Sequence, residues 1–379
     1  MRIAILTNAF PPLARGGAGR IAHIQAHWLA NHGHEVKVWT VAPFPESGAE
    51  LEVKTFKPRT TVPFADLGKK SVLARLWFHL EDSAPNLDAV DQIRKWNPDV
   101  LISHNLTGCG WGTPRLLKAA GVKWMHVLHD VQAFEPSGQM MFDGTGPSMW
   151  RKFWAKRRKK ALGSPDIVIS PSNWLLEMHK QYDLFANSDC KVIPNPVQMP
   201  DGFADAQISG EPQILYVGRL SHDKGVKVLL DAWMSLSPKP GKLITIGSGL
   251  LETEIKNNPD ASIKYLGEQT NEQVMIKMRE ANLVVLPSLV MENQPTVLLE
   301  AIAADTRILA TDVGGVREML EGYGTIVPPG DVAALAKGIT STLQQPAQNE
   351  IREQILKKHE VDEVMNLVCH SFEKGNPEE

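Results

Sequence analysis

One pattern recurs through this chain of 379 residues and limits its fold more than any other. A short run of aliphatic residues ends in a turn rich in glycine, proline or serine, and a stretch with helical spacing follows. Ile3-Ala4-Ile5-Leu6, Val36-Lys37-Val38-Trp39, Val100-Leu101-Ile102 and Ile167-Val168-Ile169 show it in the first half. Ile214-Leu215-Tyr216-Val217, Leu243-Ile244-Thr245-Ile246, Leu283-Val284-Val285-Leu286 and Ile308-Leu309-Ala310 repeat it in the second. Strands joined through helices run parallel, and parallel sheets need cover on both faces. The expected fold class is therefore α/β. It comprises two doubly wound parallel-sheet domains facing across a cleft, residues 1–200 and 201–355, with a linker rich in Pro, Gly, Asp and Ser at 198–212.

Composition narrows the class. No apolar stretch approaches the ~20 residues of a membrane-spanning helix. Residues 1–7 read as a first strand rather than the apolar core of a signal peptide. Cys109, Cys190 and Cys369 are odd in number and widely spaced, which fits reduced thiols in a cytoplasm. The net charge of −3 hides an asymmetry: residues 1–200 hold 24 Lys+Arg against 17 Asp+Glu, and the remainder 16 against 26. A basic first half points to an anionic surface or acceptor on that side.

Along the first half, the strand at residues 2–8 runs into a glycine-rich turn, Ala9 to Gly19, and a helix follows. Such a turn sits at the carboxyl edge of a strand, where open α/β sheets bind ligands. Its length departs from the dinucleotide fingerprint, but its glycines allow close backbone approach to a phosphate or sugar. His23 and His27 have i,i+4 spacing, yet no further Cys or carboxylate completes a ligand set, and no metal site is assigned. His104 and His129 each follow a strand and are candidates for chemistry or for structure. Residues 43–80 have weak periodicity. There Trp77 and Phe78 follow Lys69, Lys70 and Arg75 in what reads as an acceptor loop, a membrane-facing helix or plain surface. Residues 150–160, from Trp150 to Lys160, interleave seven basic side chains with three aromatics. This is either a basic amphipathic helix for an anionic membrane surface or a solvated helix.

In the second half, Arg219 and Lys224 flank the turn after the first strand, where a guanidinium fork and an ammonium point charge suit a diphosphate. The run Glu292-Asn293-Gln294-Pro295-Thr296-Val297-Leu298-Leu299-Glu300 follows another strand. Pro295 is expected at the first helical position, with a helix over residues 296–304 whose free N–H groups and dipole form an anion site. Glu292 and Glu300 bracket that helix start. The spacing suits a ligand with hydroxyls at both ends and phosphate between, as in a nucleotide-sugar; it also fits two solvated carboxylates beside an ordinary loop.

These residues together resemble the retaining glycosyltransferases of the GT-B fold, glycosyltransferase family 4, whose two domains are Rossmann-like. The resemblance runs the whole length. It rests on Pro11-Pro12 with Gly16-Gly17, Gly33-His34-Glu35-Val36, Pro98-Asp99 through His104, His129-Asp130 and Ile193-Pro194-Asn195-Pro196-Val197. Gly218-Arg219-Leu220 with Asp223-Lys224-Gly225, the Glu292/Glu300 pair and Ala310 to Gly315 complete it. The resemblance implies that Arg219 and Lys224 hold the donor pyrophosphate and that Glu300 holds the ribose. It implies that Glu292, with Asn293, Gln294, Pro295, Thr296 and Val297, grips the transferred sugar. Gly16 and Gly17 would approach the donor phosphate, His129 would stand beside the reactive carbon, and His104 would belong to the acceptor side. The C-terminal helix, residues 356–379, would pack back on the first domain. Arg317 stands where many relatives have proline, and no role is carried to it.

The activity implied is transfer from a UDP- or GDP-sugar to a hydroxyl of a glycan, glycolipid or small molecule. The donor is a substrate and no cofactor is required. The chain lacks a D-x-D sequence, and Arg219, Lys224 and the helix dipole can supply the charge a metal would otherwise bring. The implied mechanism is front-face displacement with retention. The location implied is cytoplasmic, with peripheral attachment to the inner membrane face as one form of it. Nucleic acid is not an expected partner. A nucleotide-sugar 2-epimerase of the same fold and a catalytically inactive binding subunit are the alternatives.

Overall fold

The computed structural model describes residues 1–11, 17–41, 51–62, 64–146, 148–197, 210–346 and 348–373. Pro12, Gly16, most of the linker and residues 374–379 therefore lie outside the described residues. The chain divides into two compact units. The first holds residues 1–139, 146–196 and 361–379, and the second holds 140–145 and 197–360.

The first unit carries seven parallel strands: β1 (Arg2–Thr7), β2 (Glu35–Thr40), β3 (Glu52–Thr55), β4 (Val100–Ser103), β5 (Lys123–Val127), β6 (Ile167–Ser170) and β7 (Asp189–Val192). Their order is β3-β2-β1-β4-β5-β6-β7. The sheet thus turns in opposite directions on either side of the β1–β4 pair, and loops leaving the carboxyl ends there splay apart to leave a crevice. β4 and β6 are buried along their whole length, as their unbroken aliphatic runs require. β3 is a mostly exposed edge strand of alternating charge, Glu-Val-Lys-Thr, which explains why apolar periodicity did not reveal it. The Val361–Glu373 helix packs Val364, Met365, Val368 and Phe372 into the same core as Ile3, Ala22 and Leu29, and Trp28 Nε1 donates to Asp362 Oδ1 at 2.6 Å.

The second unit carries six: β8 (Gln213–Val217), β9 (Lys242–Ile246), β10 (Ile263–Tyr265), β11 (Leu283–Leu286), β12 (Arg307–Thr311) and β13 (Thr325–Val327), all parallel. The order β10-β9-β8-β11-β12-β13 places the switch point between β8 and β11. One core packs Leu298, Leu299, Ala301 and Ile302 of the Thr296–Ala303 helix against Val284, Ile308 and Ala310. The other face is covered by Leu229, Leu230 and Trp233 with Leu335 and Ile339. Residues 140–145, which the sequence reading put with the first domain, join this unit: Met141 and Val290 form an antiparallel bridge. None of the described helices is long and apolar enough to cross a membrane.

Candidate functional site

In the second unit the loops after β8 and β11 interlock at the switch point. The carbonyl of Asp223 accepts from the N–H groups of Leu289 and Val290, at 2.9 and 3.1 Å. Gly225 sits against Pro287 with φ of +71°, and a Cβ there would lie 1.7 Å from the Pro287 carbonyl oxygen, so only glycine fits both the turn and the contact. The bridging segment adds Met291 N–H to Met140 O at 2.7 Å and Phe142 N–H to Leu289 O at 2.9 Å. A third loop, after β12, supports Glu292 from beneath: Gly315 N–H donates to the Glu292 carbonyl at 2.9 Å, and Gly314, at φ +61°, leaves room for it. The backbone around Glu292 is thus held from three directions.

Side chains complete the arrangement. Lys224 Nζ lies 2.7 Å from Glu292 Oε1, and Ser288 Oγ donates to the same oxygen at 2.9 Å. Thr311 in turn donates to the Ser288 carbonyl at 2.7 Å. The sequence reading assigned Lys224 to phosphate and Glu292 to sugar; the structure joins them directly. An ammonium has three donors, so Lys224 can keep Glu292 and still present N–H groups to an anion. Arg219 is exposed, with its guanidinium 2.5 Å from Asp223 Oδ2 and its Nε 3.2 Å from Ser221 Oγ. Burial alone would raise the Asp223 pKa, but the Ser221 hydroxyl, Arg219 and Lys224 together hold it below its usual value. Ser221, Asp223, Ser288 and Thr311 carry no role from sequence, although Asp223 and Thr311 lie inside motifs on which the resemblance rests.

The Thr296–Ala303 helix begins where this cluster ends. Pro295 is its N-cap, with φ −67° and ψ 114°, rather than its first helical residue as expected. The amides of Thr296 and Val297 open the first turn, where no preceding helical carbonyl can reach them. Asn293 and Val297 are half-buried, Gln294 is buried, and Glu300 is buried one turn further on. Carboxylates at that depth are rare unless engaged. Arg317, to which no role was given, makes a two-pronged pair with Asp312, at 3.1 and 2.7 Å.

In the first unit, Gly17 opens the Gly17–Asn31 helix and is exposed. His104 and His129 leave β4 and β5 side by side: His104 Nδ1 and His129 Nε2 are 2.9 Å apart, with the rings stacked at 26°. His104 is fully buried and its Nε2 has no hydrogen-bond partner among the described atoms. An orphaned lone pair is more readily tolerated than an orphaned N–H. The favoured tautomer therefore puts the His104 proton on Nδ1, donating to His129 Nε2, and the His129 proton on Nδ1. Burial keeps both rings neutral, His129 with a pKa lowered to about 4 and His104 well below its normal value, with the neighbouring imidazoles adding to the effect on His104. Beside them Asp130 accepts from Asn105 Nδ2 at 3.0 Å and from Gln132 N–H at 2.8 Å, and burial raises its pKa to about 6. His104 thus touches His129, a contact that sequence reading did not foresee. No group of three His, Cys, Asp or Glu side chains suited to a metal occurs among the described residues.

Comparison with known proteins places both units. The model of Glycosyltransferase Family 4 matches residues 15–199, and that of Glycosyl transferases group 1 matches residues 201–360. TuaC of Bacillus subtilis strain 168, a glycosyltransferase assigned to teichuronic acid biosynthesis, is 25% identical over 99% of this chain and 95% of its own. Among solved structures, sucrose-phosphate synthase from Thermosynechococcus elongatus superposes with a TM-score of 0.75 at 21% identity, covering 98% of both chains. Anabaena HepE in complex with UDP-glucose superposes at 0.73 and 18% identity, covering 99% of this chain and all of its own.

Proposed function

Because the chain belongs to the GT-B glycosyltransferases of the family 4 type and is an enzyme that uses a nucleotide-sugar donor, we propose that it transfers a hexosyl group with retention. The acceptor is a hydroxyl of a glycan, glycolipid or small molecule. The observation that carries this reading is the Lys224–Glu292 pair at the start of a helix that buries Glu300. It places a cation, a dipole and two carboxylates along one short stretch, matching a ligand with phosphate between two polyols.

In this reading Arg219 and Lys224 neutralise the pyrophosphate, helped by the amides of Thr296 and Val297. Glu300 accepts from the ribose hydroxyls. Glu292, Asn293 and Gln294 bind the hydroxyls of the transferred sugar, with Pro295 and Val297 shaping the turn. Gly17, and Gly16 outside the described residues, let backbone approach the phosphate. His129 engages the sugar, and its Nδ1 proton makes it a donor there. The resemblance implies an acceptor contact for His104; its burial against His129 supports a role in holding that ring.

The bond from the anomeric carbon to the diphosphate oxygen breaks while the acceptor oxygen bonds to the same face. The acceptor proton passes to the leaving phosphate, and no enzyme nucleophile is needed. The cationic pair supports a metal-independent reaction. UDP is the favoured nucleobase carrier with GDP second, since UDP-glucose is the ligand in the HepE complex. That TuaC is named for teichuronic acid biosynthesis favours a polysaccharide or glycolipid product. Three cysteines, odd in number and two of them buried, favour action on the cytoplasmic side. Thermal-shift measurement with UDP-, GDP- and ADP-sugars, followed by product analysis, tests the reading. Stabilisation by one class and a glycoside product are expected; an epimerised sugar, or binding without turnover, would overturn it.

A further inference from the structure

The Met149–Leu162 helix has seven basic residues and no acidic one, but it does not present them all outward. Its three arginines turn to the protein. Arg151 pairs with Glu135 at 3.1 Å, and Arg157 donates to Leu80 O and Ser83 Oγ at 2.8 and 2.9 Å. Arg158 is fully buried over the Trp111 ring, 3.9 Å from Asp82. The four lysines, Lys152, Lys156, Lys159 and Lys160, are all exposed. The sequence reading counted seven charges for a membrane; the structure leaves four.

What it adds is a second helix. The C-terminal end of Val72–Glu81 packs against the basic one: His79 meets Trp154 with ring centroids 5.9 Å apart, and Asp82, the residue after that helix, lies 3.9 Å from Arg158. Arg157 marks the side of the basic helix that faces its neighbour, and Trp150, two turns earlier, lies on that side. Exposed apolar residues gather on both: Val72 at 71%, Leu73 at 77% and Trp77 at 58% on one helix, Met149 at 84%, Trp150 at 48% and Phe153 at 50% on the other. Lys69, Lys70 and Arg75 are exposed beside the first. The indole N–H of Trp77 is already satisfied by Glu81 at 2.9 Å, so that ring can leave water at little polar cost.

We propose that these two helices form one surface that docks on an anionic lipid bilayer, with the apolar residues at the acyl boundary and the lysines among the headgroups. The division of labour fits that occupant. On the Met149–Leu162 helix arginine, suited to geometric pairing, is used inside, while flexible lysines, suited to diffuse attraction, face outward. Six large apolar side chains among those charges would oppose a purely electrostatic contact with an acidic protein. The proposal does not depend on the donor reading.

Flotation of the full chain with vesicles of phosphatidylcholine containing about one-third phosphatidylglycerol, against pure phosphatidylcholine, tests it. Binding to the anionic vesicles alone is expected, falling at high salt. Both Lys152→Glu/Lys156→Glu and Leu73→Ser/Trp77→Ser should weaken it by about tenfold or more, with the nucleotide-sugar thermal shift unchanged as the folding control. Absence of vesicle binding would overturn the proposal. So would loss in the lysine variant alone, which would mean adsorption without the second helix. Retention on polyglutamate but not on vesicles would assign the surface to an acidic protein instead. A lost donor shift with vesicle binding intact would reject the donor reading and leave this one standing.

Discussion

Lowering the pH from 7.5 to 5.5 should destabilise the first unit by several kcal/mol. His79, His104, His126 and His179 are all buried there. Burial comes first among the causes that depress each: His79 and His179 to about 4, His126 to about 3, and His104 well below its normal value. A depressed folded pKa means the unfolded chain takes up the proton first. The stability these groups contribute is therefore complete above about 6.5 and is lost as the pH falls toward the folded values. At pH 5.5 His79, His126, His179 and His129, itself lowered to about 4, each cost about 1.3 kcal/mol relative to pH 7.5, about 5 kcal/mol for the four, and His104 acts in the same direction. Asp130, raised to about 6, and Asp82, also raised, act in the opposite sense. Asp130 alone returns on the order of 1 kcal/mol, so the loss from the histidines still dominates, against a typical total of 5–15. Urea titration at fixed ionic strength, followed by tryptophan fluorescence, reads the right unit, since every tryptophan but Trp233 lies in it. His179→Gln should recover about 1 kcal/mol of the difference. Equal stabilities at the two pH values, or a loss confined to below pH 4.5, where carboxylates such as Asp223 give way, would refute the reasoning.

Other expectations follow from the site. Glu300→Gln should weaken binding of the free nucleoside diphosphate by roughly 10–100-fold, whereas His129→Ala should lower kcat more than it weakens that binding; equal affinity losses with kcat preserved in His129→Ala would show the histidine misassigned. Turnover should survive EDTA and give a retained anomer by NMR, and restoration of a lost activity by Mg²⁺ or Mn²⁺ would count against the cationic pair. Gly314→Ala would drive a Cβ to 1.9 Å from the Glu292 carbonyl at a φ of +61°. It should cost about 2 kcal/mol or more in urea and weaken donor binding; a neutral variant would show that Glu292 is not held from that loop.

Strand and helix order was readable because buried parallel strands are uninterrupted aliphatic runs, and the switch-point loops follow from that order. Arg219, Lys224 and Glu292 were readable as charged residues in the loops after strands, and Glu300 as a carboxylate inside the helix that follows. What sequence could not give were pairings across long separations. Lys224 and Glu292 are 68 positions apart, and each alone has an obvious ligand to bind. His104 and His129 meet because β4 and β5 are neighbours in register, which periodicity does not report. The basic helix misled in a different way: Arg151 and Arg158 count as charge in sequence but are consumed by Glu135 and Asp82.

The short excursion of residues 140–145 into the second unit bears on how such a protein can be recombined. A breakpoint in the linker looks natural, because it separates the two family models. A chimaera made there would inherit the Glu292 loop from one parent and its Met140–Met291 and Phe142–Leu289 hydrogen bonds from the other. The Glu292 loop would then rest on a foreign splint. Exchanges that carry residues 140–145 together with 197–360 keep loop and splint from one parent, so the compact unit that holds the Glu292 loop is discontinuous in the gene.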